Sequence, residues 1–157
     1  MKQIIFIAIG LMALIGIGLI IVFFIITSKP NPKDSLKMMK VSIRGHIWEA
    51  EIARSLVEKA RGLSGRESLG KNKAMIFPFD SPSRESFWMK GMNFPIDMIW
   101  IMDKKILNIS KNAQPLKDNL RPLYYSSKDP IDMVLEINAN QVDEFNLQIG
   151  DAVDIKP

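Results

Sequence analysis

The stretch Ile96–Ser110, IDMIWIM-DK-KILNIS, decides the fold. Two apolar runs, Ile96–Met102 and Lys105–Ser110, flank the polar pair Asp103-Lys104, and this pattern is typical of two strands joined by a tight turn. Short runs of the same kind recur on both sides of this stretch. They are Ala74–Phe77, Ser86–Lys90, Met133–Asn138 and Ala152–Ile155.

The residues ahead of these runs predict one hairpin and one short helix. Apolar and polar residues alternate over 41–52, with a turn at 44–46. Ser55 and Glu58 have the spacing of a capping box, and Gly62 is placed to end the helix after about two turns. The segment 111–130 holds three prolines and is expected to be a long surface excursion. Together these features predict a mainly β, compact β-sandwich or barrel-like domain with one short helix.

The N-terminal part of the chain predicts a membrane anchor. Ile4–Ile26 is 23 residues without a charged or polar side chain. As a helix it would be about 35 Å long, enough to cross a bilayer core of about 30 Å. The run is longer than the apolar region of a cleaved signal peptide and lacks a small-x-small cleavage site, so an uncleaved anchor is the better interpretation. We therefore divide the chain into a transmembrane anchor (1–28), a Pro- and Lys-containing linker (29–40) and a β domain (41–157).

The orientation of this anchor has two interpretations. Four lysines follow the apolar run between residues 29 and 40, and taken alone they would keep the C-terminal domain in the cytoplasm. An N-terminal tail of three residues is instead typical of a signal anchor, which exports the domain behind it. We expect a single-pass membrane protein with an extracytoplasmic C-terminal domain.

Composition and motifs argue against several classes of function. With no Cys and one His, the chain has neither a thiolate zinc site nor a His-rich metal site, and we expect no metal and no cofactor. Gly65–Lys71 matches part of a phosphate-binding P-loop, but Asn72 stands where a Ser or Thr hydroxyl must hold Mg²⁺. The net charge of +4 is spread along the chain rather than gathered in a basic stripe, so we expect no nucleic acid partner.

Several short segments, taken together, are characteristic of one family. They are Arg61–Arg66 (RGLSGR), Ala74–Phe77 (AMIF), Phe87–Lys90 (FWMK), Pro95–Asp97 (PID) and Val134–Glu136 (VLE), with Gly150-Asp151 near the end. They resemble the prokaryotic family called domain of unknown function 192 (DUF192), over Val41–Ile155. The resemblance implies a mainly β, sandwich-like domain, often behind a signal peptide or membrane anchor. It implies no activity, because none is established for the family.

The sequence departs from the family pattern at three places. Gly91-Met92 stands where the family usually has Asn-Thr, Ser64 where it usually has Met, and Ala74 where it usually has Gly. A ligand contact made by the Asn-Thr side chains in other members would be absent from this chain.

The tetrad Phe87–Lys90 supplies the candidate site. On a strand, Phe87 and Met89 would face the core, and Trp88 and Lys90 would face the other way. An indole beside an ammonium group can stack on a sugar or base while the cation reaches an oxygen or phosphate. If the strands pair as the family suggests, three further charged residues would be neighbours of this pair. The candidate ligand-binding residues are therefore Trp88, Lys90, Arg61, Arg66 and Asp97.

The same residues also allow a purely structural interpretation. Arg61 and Asp97 could form a buried ion pair that pins the short helix to the sheet beneath Trp88. Tyr124, Tyr125 and Glu136 are weaker site candidates.

The functional expectation is a ligand-binding or interaction module of the cell envelope, acting on a small molecule, a saccharide or a protein. The alternative is a hydrolase or lyase acting on an envelope polymer through the carboxylates of Asp97 and Glu136, which requires both carboxyl groups in one cleft. A regulator facing the cytoplasm is the third possibility and requires the reversed orientation. Whether the chain is an enzyme stays open at this point.

Overall fold

A computed structural model describes residues 36–115 and 123–156 of the chain. They belong to one compact unit, Leu36–Pro157. This unit contains two hydrophobic clusters of its own, so we expect it to fold without the residues that precede it. The predicted anchor at 4–26 lies outside the described residues. Within the described ranges, no helix is both long and apolar enough to span a bilayer.

Nine strands and two short helices make up the described part of the chain. In chain order they are β1 Met38–Ile43, β2 His46–Ile52, α1 Leu56–Arg61, β3 Lys73–Ser83, β4 Ser86–Trp88, β5 Ile96–Met102, β6 Lys105–Ala113, β7 Tyr124–Ser126, β8 Ile131–Asn138, α2 Gln141–Glu144 and β9 Val153–Lys156. The mainly β prediction is confirmed.

Seven of the strands form one curled sheet in the order β6-β5-β8-β3-β2-β1-β9, and β4 pairs with β7 in a separate ribbon. Only the β2–β3 pair of this sheet is parallel, and α1 lies in the connection between these two strands. The two edge strands approach each other at one end. There the backbone N–H of Ile106 donates to the carbonyl of Asp151 (3.0 Å), and that of Val153 donates to the carbonyl of Lys104 (2.8 Å). The sheet is therefore a half-barrel.

Apolar side chains cover the sheet on both faces and form two clusters. The first, which we call the Trp48 cluster, contains Val41, Ile43, Trp48, Ala50, Ile52, Ala74, Ile76, Ile99, Ile101, Ile106, Leu135, Ile137, Val142, Leu147 and Val153. The second, the Trp100 cluster, contains Ala53, Leu63, Leu69, Met75, Phe77, Met89, Met92, Ile96, Met98, Trp100, Ala113, Ile131 and Val134. β5 and β8 contribute to both clusters. Apolar clusters therefore cover both faces of these two strands, and side chains that point to either face are buried. A polar residue in either strand must therefore find its partners inside the protein.

Local sequence signals predicted the elements around α1 and the turns correctly. Ser55 caps α1, its hydroxyl accepting from the N–H of Glu58 while the Glu58 carboxylate accepts from the N–H of Ser55. Asp103 and Lys104 both have positive φ (49° and 57°), as the tight turn between β5 and β6 requires.

Two elements were not predicted from the sequence. β6 continues to Ala113 and Tyr124–Ser126 forms β7, so part of the expected surface excursion is strand. Gln141–Glu144 forms a helical turn where only strand and turn were expected. The family tetrad is also only partly strand, because β4 ends at Trp88.

Asp97 connects three elements beneath the sheet. Its side chain is fully buried. The backbone N–H of Asn112 in β6 donates to Oδ1 (2.7 Å), and that of Val142 in α2 donates to Oδ2 (2.9 Å). The carboxylate therefore satisfies two backbone amides and fixes β6 and α2 against β5. The ion pair with Arg61 suggested by the sequence is not formed.

We predict that Asp97→Ala lowers the free energy of unfolding by about 3–4 kcal/mol, because two backbone amides lose a charged acceptor. Urea unfolding of residues 29–157 measures this. The matched control is Asp80→Ala, an exposed aspartate at the far end of β3, which we expect to change stability by less than about 0.5 kcal/mol. Equal effects of the two substitutions would contradict this role of Asp97.

Candidate functional site

A row of four side chains crosses the sheet on the face that carries the Trp100 cluster. The strand register places Glu51 of β2 beside Met75 of β3, Met75 beside Glu136 of β8, and Glu136 beside Met98 of β5. Neighbouring strands lie about 4.8 Å apart, so the backbones of the two glutamates are separated by about 10 Å. Two carboxyl groups thus share one face of the sheet with a methionine between them.

The first of these carboxyl groups is paired. The Arg66 guanidinium donates to both oxygens of Glu51, from Nη1 to Oε1 (2.6 Å) and from Nη2 to Oε2 (2.7 Å), in a partly buried site. These hydrogen bonds lower the pKa of Glu51 and raise that of Arg66. Arg66 is therefore held by Glu51 in a two-point ion pair.

The second carboxyl group is buried and lacks such a partner. Glu136 is 5% exposed, and no hydrogen bond to its carboxyl group is formed by residues 36–115 or 123–156. Burial raises the pKa of Glu136 to about 8, against a smaller lowering by the positive charge of Arg66. At neutral pH the side chain is therefore mainly a neutral acid, which can both donate and accept a hydrogen bond.

The tetrad has the alternation expected from its sequence. Met89 is fully buried and Phe87 is partly buried, whereas Trp88 is 41% exposed and Lys90 is exposed. Phe87 packs edge-to-face on Phe77 (ring centroids 5.0 Å apart) and on Trp100 (5.7 Å). The Nζ of Lys90 lies 5.5 Å from the centre of the Trp88 ring, within the range of a cation–π contact.

A groove of about 480 Å³ lies between α1 and the β4–β7 ribbon. Its rim is aromatic, since the rings of Trp88 and Tyr124 are 6.4 Å apart and tilted by 35°. On the other side, the Nζ of Lys59 lies 4.5 Å from the centre of the Phe79 ring. The lining residues are Leu56, Lys59, Ala60, Phe79, Glu85, Ser86, Phe87, Trp88 and Tyr124.

A small chamber adjoins this groove and reaches the buried glutamate. It shares Lys59, Ala60, Phe87 and Trp88 with the groove, and Glu136 is among its other lining residues. Its volume of about 20 Å³ is close to that needed by a single water molecule. The remaining lining residues are Arg61, Gly62, Leu63, Ser64, Phe77 and Met92.

Two of the family segments are hydrogen-bonded to each other beside this chamber. The Ser64 hydroxyl donates to the carbonyl of Lys90 (2.8 Å), and the N–H of Gly65 donates to the carbonyl of Gly91 (2.8 Å). A Cβ on Gly91 would lie 3.3 Å from Cβ of Ser64, and the φ of Gly91 is +71°. Two positions at which this chain departs from the family pattern, 64 and 91, are thus in contact, so the small Ser64 accompanies a tight glycine turn.

The structure brings together only some of the predicted site residues. Trp88 and Arg61 line the chamber, and Lys90 lies beside Trp88. Arg66 does not line the chamber and is paired with Glu51, although its charge acts on Glu136. Asp97 lies on the opposite face of the sheet, because it pairs with Ile137 while its neighbour Met98 pairs with Glu136.

The positions of Asp97 and Glu136 bear on the alternative of a hydrolase or lyase that uses these two carboxyl groups. Asp97 and Glu136 face opposite sides of one sheet, so they cannot act as a pair of carboxyl groups across one cleft.

Four residues that line the groove or the chamber were missed, or given little importance, in the sequence analysis. Lys59 and Phe79 were not singled out, and Tyr124 and Glu136 were treated as weak candidates. One signal was available for Glu136, which is the one carboxylate inside the predicted apolar run Met133–Asn138. Lys59 and Phe79 offer no such signal, because they approach each other only in the folded chain.

Among the described residues, no group of three or more acidic, His or Cys side chains is arranged to hold a metal ion. The single histidine, His46, is stacked on Phe145 (ring centroids 3.7 Å apart) and contacts the edge of Trp48 (4.3 Å). Burial lowers the pKa of His46. Glu49, close to it in sequence, is paired with Lys73.

The fold and the site define a class of small half-barrel domain with an aromatic groove beside a buried acid. The chain belongs to DUF192, a family described as an uncharacterised ACR, whose model matches residues 39–155. The resemblance drawn from the sequence motifs is therefore confirmed.

Two solved structures are similar to the chain. One is a protein of unknown function from Novosphingobium aromaticivorans, 30% identical, with a TM-score of 0.71, covering 80% of this chain and 91% of that one. The other is a putative transcription regulator from Sinorhizobium meliloti, 28% identical, with a TM-score of 0.71, covering 76% of this chain and 95% of that one. No curated protein matches the chain.

We predict that Glu136→Gln removes the decrease in the free energy of unfolding that ionisation of Glu136 causes as the pH rises. The folded state keeps a proton that the unfolded chain loses above a pKa of about 4.5, so wild-type stability falls as the pH rises from about 4.5 to about 8. The glutamine variant should equal wild type near pH 5 and exceed it at pH 8.5 by about 3–5 kcal/mol. Urea unfolding of both proteins at several pH values gives this difference.

Glu51→Gln is the matched control, on the same face of the same sheet. Because the pKa of Glu51 is lowered by Arg66, this variant should be less stable than wild type at neutral pH, and the difference should shrink as the pH falls below about 4.5. Parallel pH profiles of wild type and Glu136→Gln would show that Glu136 is ionised in the folded protein.

Proposed function

We propose that this DUF192 domain binds a saccharide of the cell envelope in the groove between α1 and the β4–β7 ribbon. The observation that carries the proposal is the exposed aromatic rim. Trp88 and Tyr124 are 41% and 54% exposed, so part of each aromatic ring is open to solvent. A pyranose ring has an apolar face that stacks on such rings, and its hydroxyl groups remain available for polar contacts.

The polar groups at the rim complement such a ligand. Lys90 lies over Trp88 and Lys59 over Phe79, so each cation is held beside a ring. Ammonium groups in these positions can donate to hydroxyl or ring oxygens of a sugar stacked on the neighbouring ring.

The size of the groove favours a small ligand over a protein partner. A volume of about 480 Å³ falls within the range of about 300–1,000 Å³ typical of small-molecule pockets. It would hold one or two sugar units. A protein interface would need a buried surface of about 800 Å² on this side.

The proposal includes a membrane-anchored location outside the cytoplasm, for which the sequence is the support. This support is the apolar run Ile4–Ile26 behind an N-terminal tail of three residues. A reporter that is active only after export, fused behind Pro157, tests the orientation, and activity of a cytoplasm-only reporter at that position would contradict it.

The S. meliloti relative is a putative transcription regulator, which suggests a nucleic-acid partner as a second candidate. The charges of this chain do not favour it. Six of the sixteen Lys and Arg side chains of the described residues are in ion pairs with carboxylates, and the others are spread along the chain, whereas nucleic-acid binding needs a continuous basic surface. The pairs are Arg44–Asp151, Arg66–Glu51, Lys71–Glu144, Lys73–Glu49, Lys111–Asp143 and Lys156–Asp154.

We predict that Trp88→Ala abolishes saccharide binding without unfolding the domain. Residues 29–157 are screened by thermal shift against neutral, acidic and amino sugars and short envelope glycans. A ligand at 100 times its dissociation constant adds about 2.7 kcal/mol of stability, or a shift on the order of 10 °C for a domain of this size. Because Trp88 is exposed, the melting temperature of the unliganded variant should change little.

Two controls make this test specific. Trp88→Phe keeps a ring and should retain most of the shift. Ile149→Ala removes an exposed apolar side chain (67% exposed) that does not line the groove, and should behave as wild type. A screen without a saccharide hit, or a hit that survives in Trp88→Ala, would contradict the proposed function.

A further inference from the structure

The chamber that adjoins the groove is bordered by a carboxyl group that makes no hydrogen bond to the described residues. Glu136 is more than nine-tenths buried, lines this chamber, and is given no hydrogen bond by the described residues. Buried polar groups in proteins nearly always have a partner. A carboxyl group bordering a cavity that is connected to a ligand groove therefore calls for a partner from water or from the ligand.

The size of the chamber limits what that partner can be. About 20 Å³ accommodates one water-sized group. A hydroxyl or an amino group fits this space, whereas a carboxylate or a phosphate brings two or three oxygen atoms and does not.

The charges around Glu136 decide between a hydroxyl and an ammonium group. Lys59 and Arg61 line the same chamber, and the positive charge of Arg66 reaches Glu136 although Arg66 is paired with Glu51. These cations disfavour a second positive charge. The pKa of Glu136, raised by burial, keeps its carboxyl group neutral and able to donate.

We propose that the chamber is a subsite for a single neutral hydroxyl group of the ligand, which displaces a water molecule and exchanges hydrogen bonds with the carboxyl group of Glu136. A hydroxyl is matched to this acid, because it accepts from the acid O–H and donates to the acid C=O. The ligand class is thus narrowed to saccharides with a projecting primary hydroxyl. This inference rests on the proposed function and adds a specificity residue to it.

The test uses four methyl glucopyranosides that differ only at carbon 6. This carbon carries a hydroxyl in the first, hydrogen in the 6-deoxy sugar, an ammonium group in the 6-amino sugar and a carboxylate in the glucuronide. Dissociation constants for residues 29–157 are measured by NMR titration at pH 6.5. We expect the hydroxyl sugar to bind at least about tenfold more tightly than each of the others, the factor for one hydrogen bond of ordinary strength.

Two substitutions at Glu136 assign this preference to its carboxyl group. Glu136→Gln keeps a neutral donor and acceptor, and should retain the preference at every pH. Glu136→Leu has similar volume but no polar group, and should reduce the ratio between the hydroxyl and 6-deoxy sugars to below about threefold. In wild type, unlike in Glu136→Gln, the preference should change as the pH rises from 6.5 to 9, because ionisation removes the acid O–H donor and leaves the sugar hydroxyl donating to a carboxylate.

Three other outcomes would each contradict a specific claim about the chamber or the groove. Equal binding of the four sugars, lost in Trp88→Ala, would overturn the hydroxyl subsite and leave the saccharide groove standing. Tightest binding of the 6-amino sugar, strengthening toward pH 8, would show that the chamber selects a cation. No binding of any of the four would overturn both the subsite and the proposed function.

Discussion

The structure depends on one constraint, the covering of both faces of the central strands. β5 and β8 pack against the Trp48 cluster on one face and the Trp100 cluster on the other. An ionisable side chain of either parity in these strands is therefore removed from water, and an isolated buried charge is very unfavourable. Asp97 and Glu136 are the two acidic residues of these strands whose side chains are buried, and they meet this constraint in different ways.

Asp97 has its partners inside the fold. Two backbone amides, from β6 and α2, donate to its two oxygens, so the carboxylate completes the backbone hydrogen bonding of two neighbouring elements. Glu136 has no equivalent donors among the described residues and is left next to a cavity. A buried acid of the first kind contributes to the fold, whereas one of the second kind is held in a state that suits a ligand contact. This difference is why the site is assigned to the Glu136 face of the sheet.

The connection between β2 and β3 brings the groove to that face. Because β2 and β3 are parallel, the chain must cross from one end of the sheet to the other, and α1 lies in this crossing. Lys59 on α1 and the β4 residues Phe87 and Trp88 then line the same groove. Hydrogen bonds from the segment after α1 to the turn after β4 hold the two sides in place. The outward side chains of the tetrad can be exposed because Phe87 and Met89 anchor it in the Trp100 cluster.

The sequence predicted those parts of the fold that depend on local signals. The capping box at Ser55, the turn at Asp103-Lys104 and the alternation at Phe87–Lys90 each follow from nearest neighbours in the chain. It could not predict which face of the sheet Asp97 would share, because that depends on the register between β5 and β8. The helical turn at Gln141–Glu144 was missed for a similar reason, since one of its first amides is satisfied by Asp97, 45 residues away. The importance of Glu136 depends on the burial of both faces of β8, which the sequence of that strand alone does not show.

The protonation state of Glu136 is the central claim, and it can be measured directly. The side-chain carboxyl carbon of Glu136 can be followed by ¹³C NMR in residues 29–157 from pH 4 to pH 10, with Glu136→Gln used to assign its signal. The account predicts that this carbon titrates with a pKa of about 8. A midpoint close to 4.5, the ordinary value for glutamate, would mean that the chamber contains a carboxylate at neutral pH, and the assignment of a neutral acid to the site would be wrong.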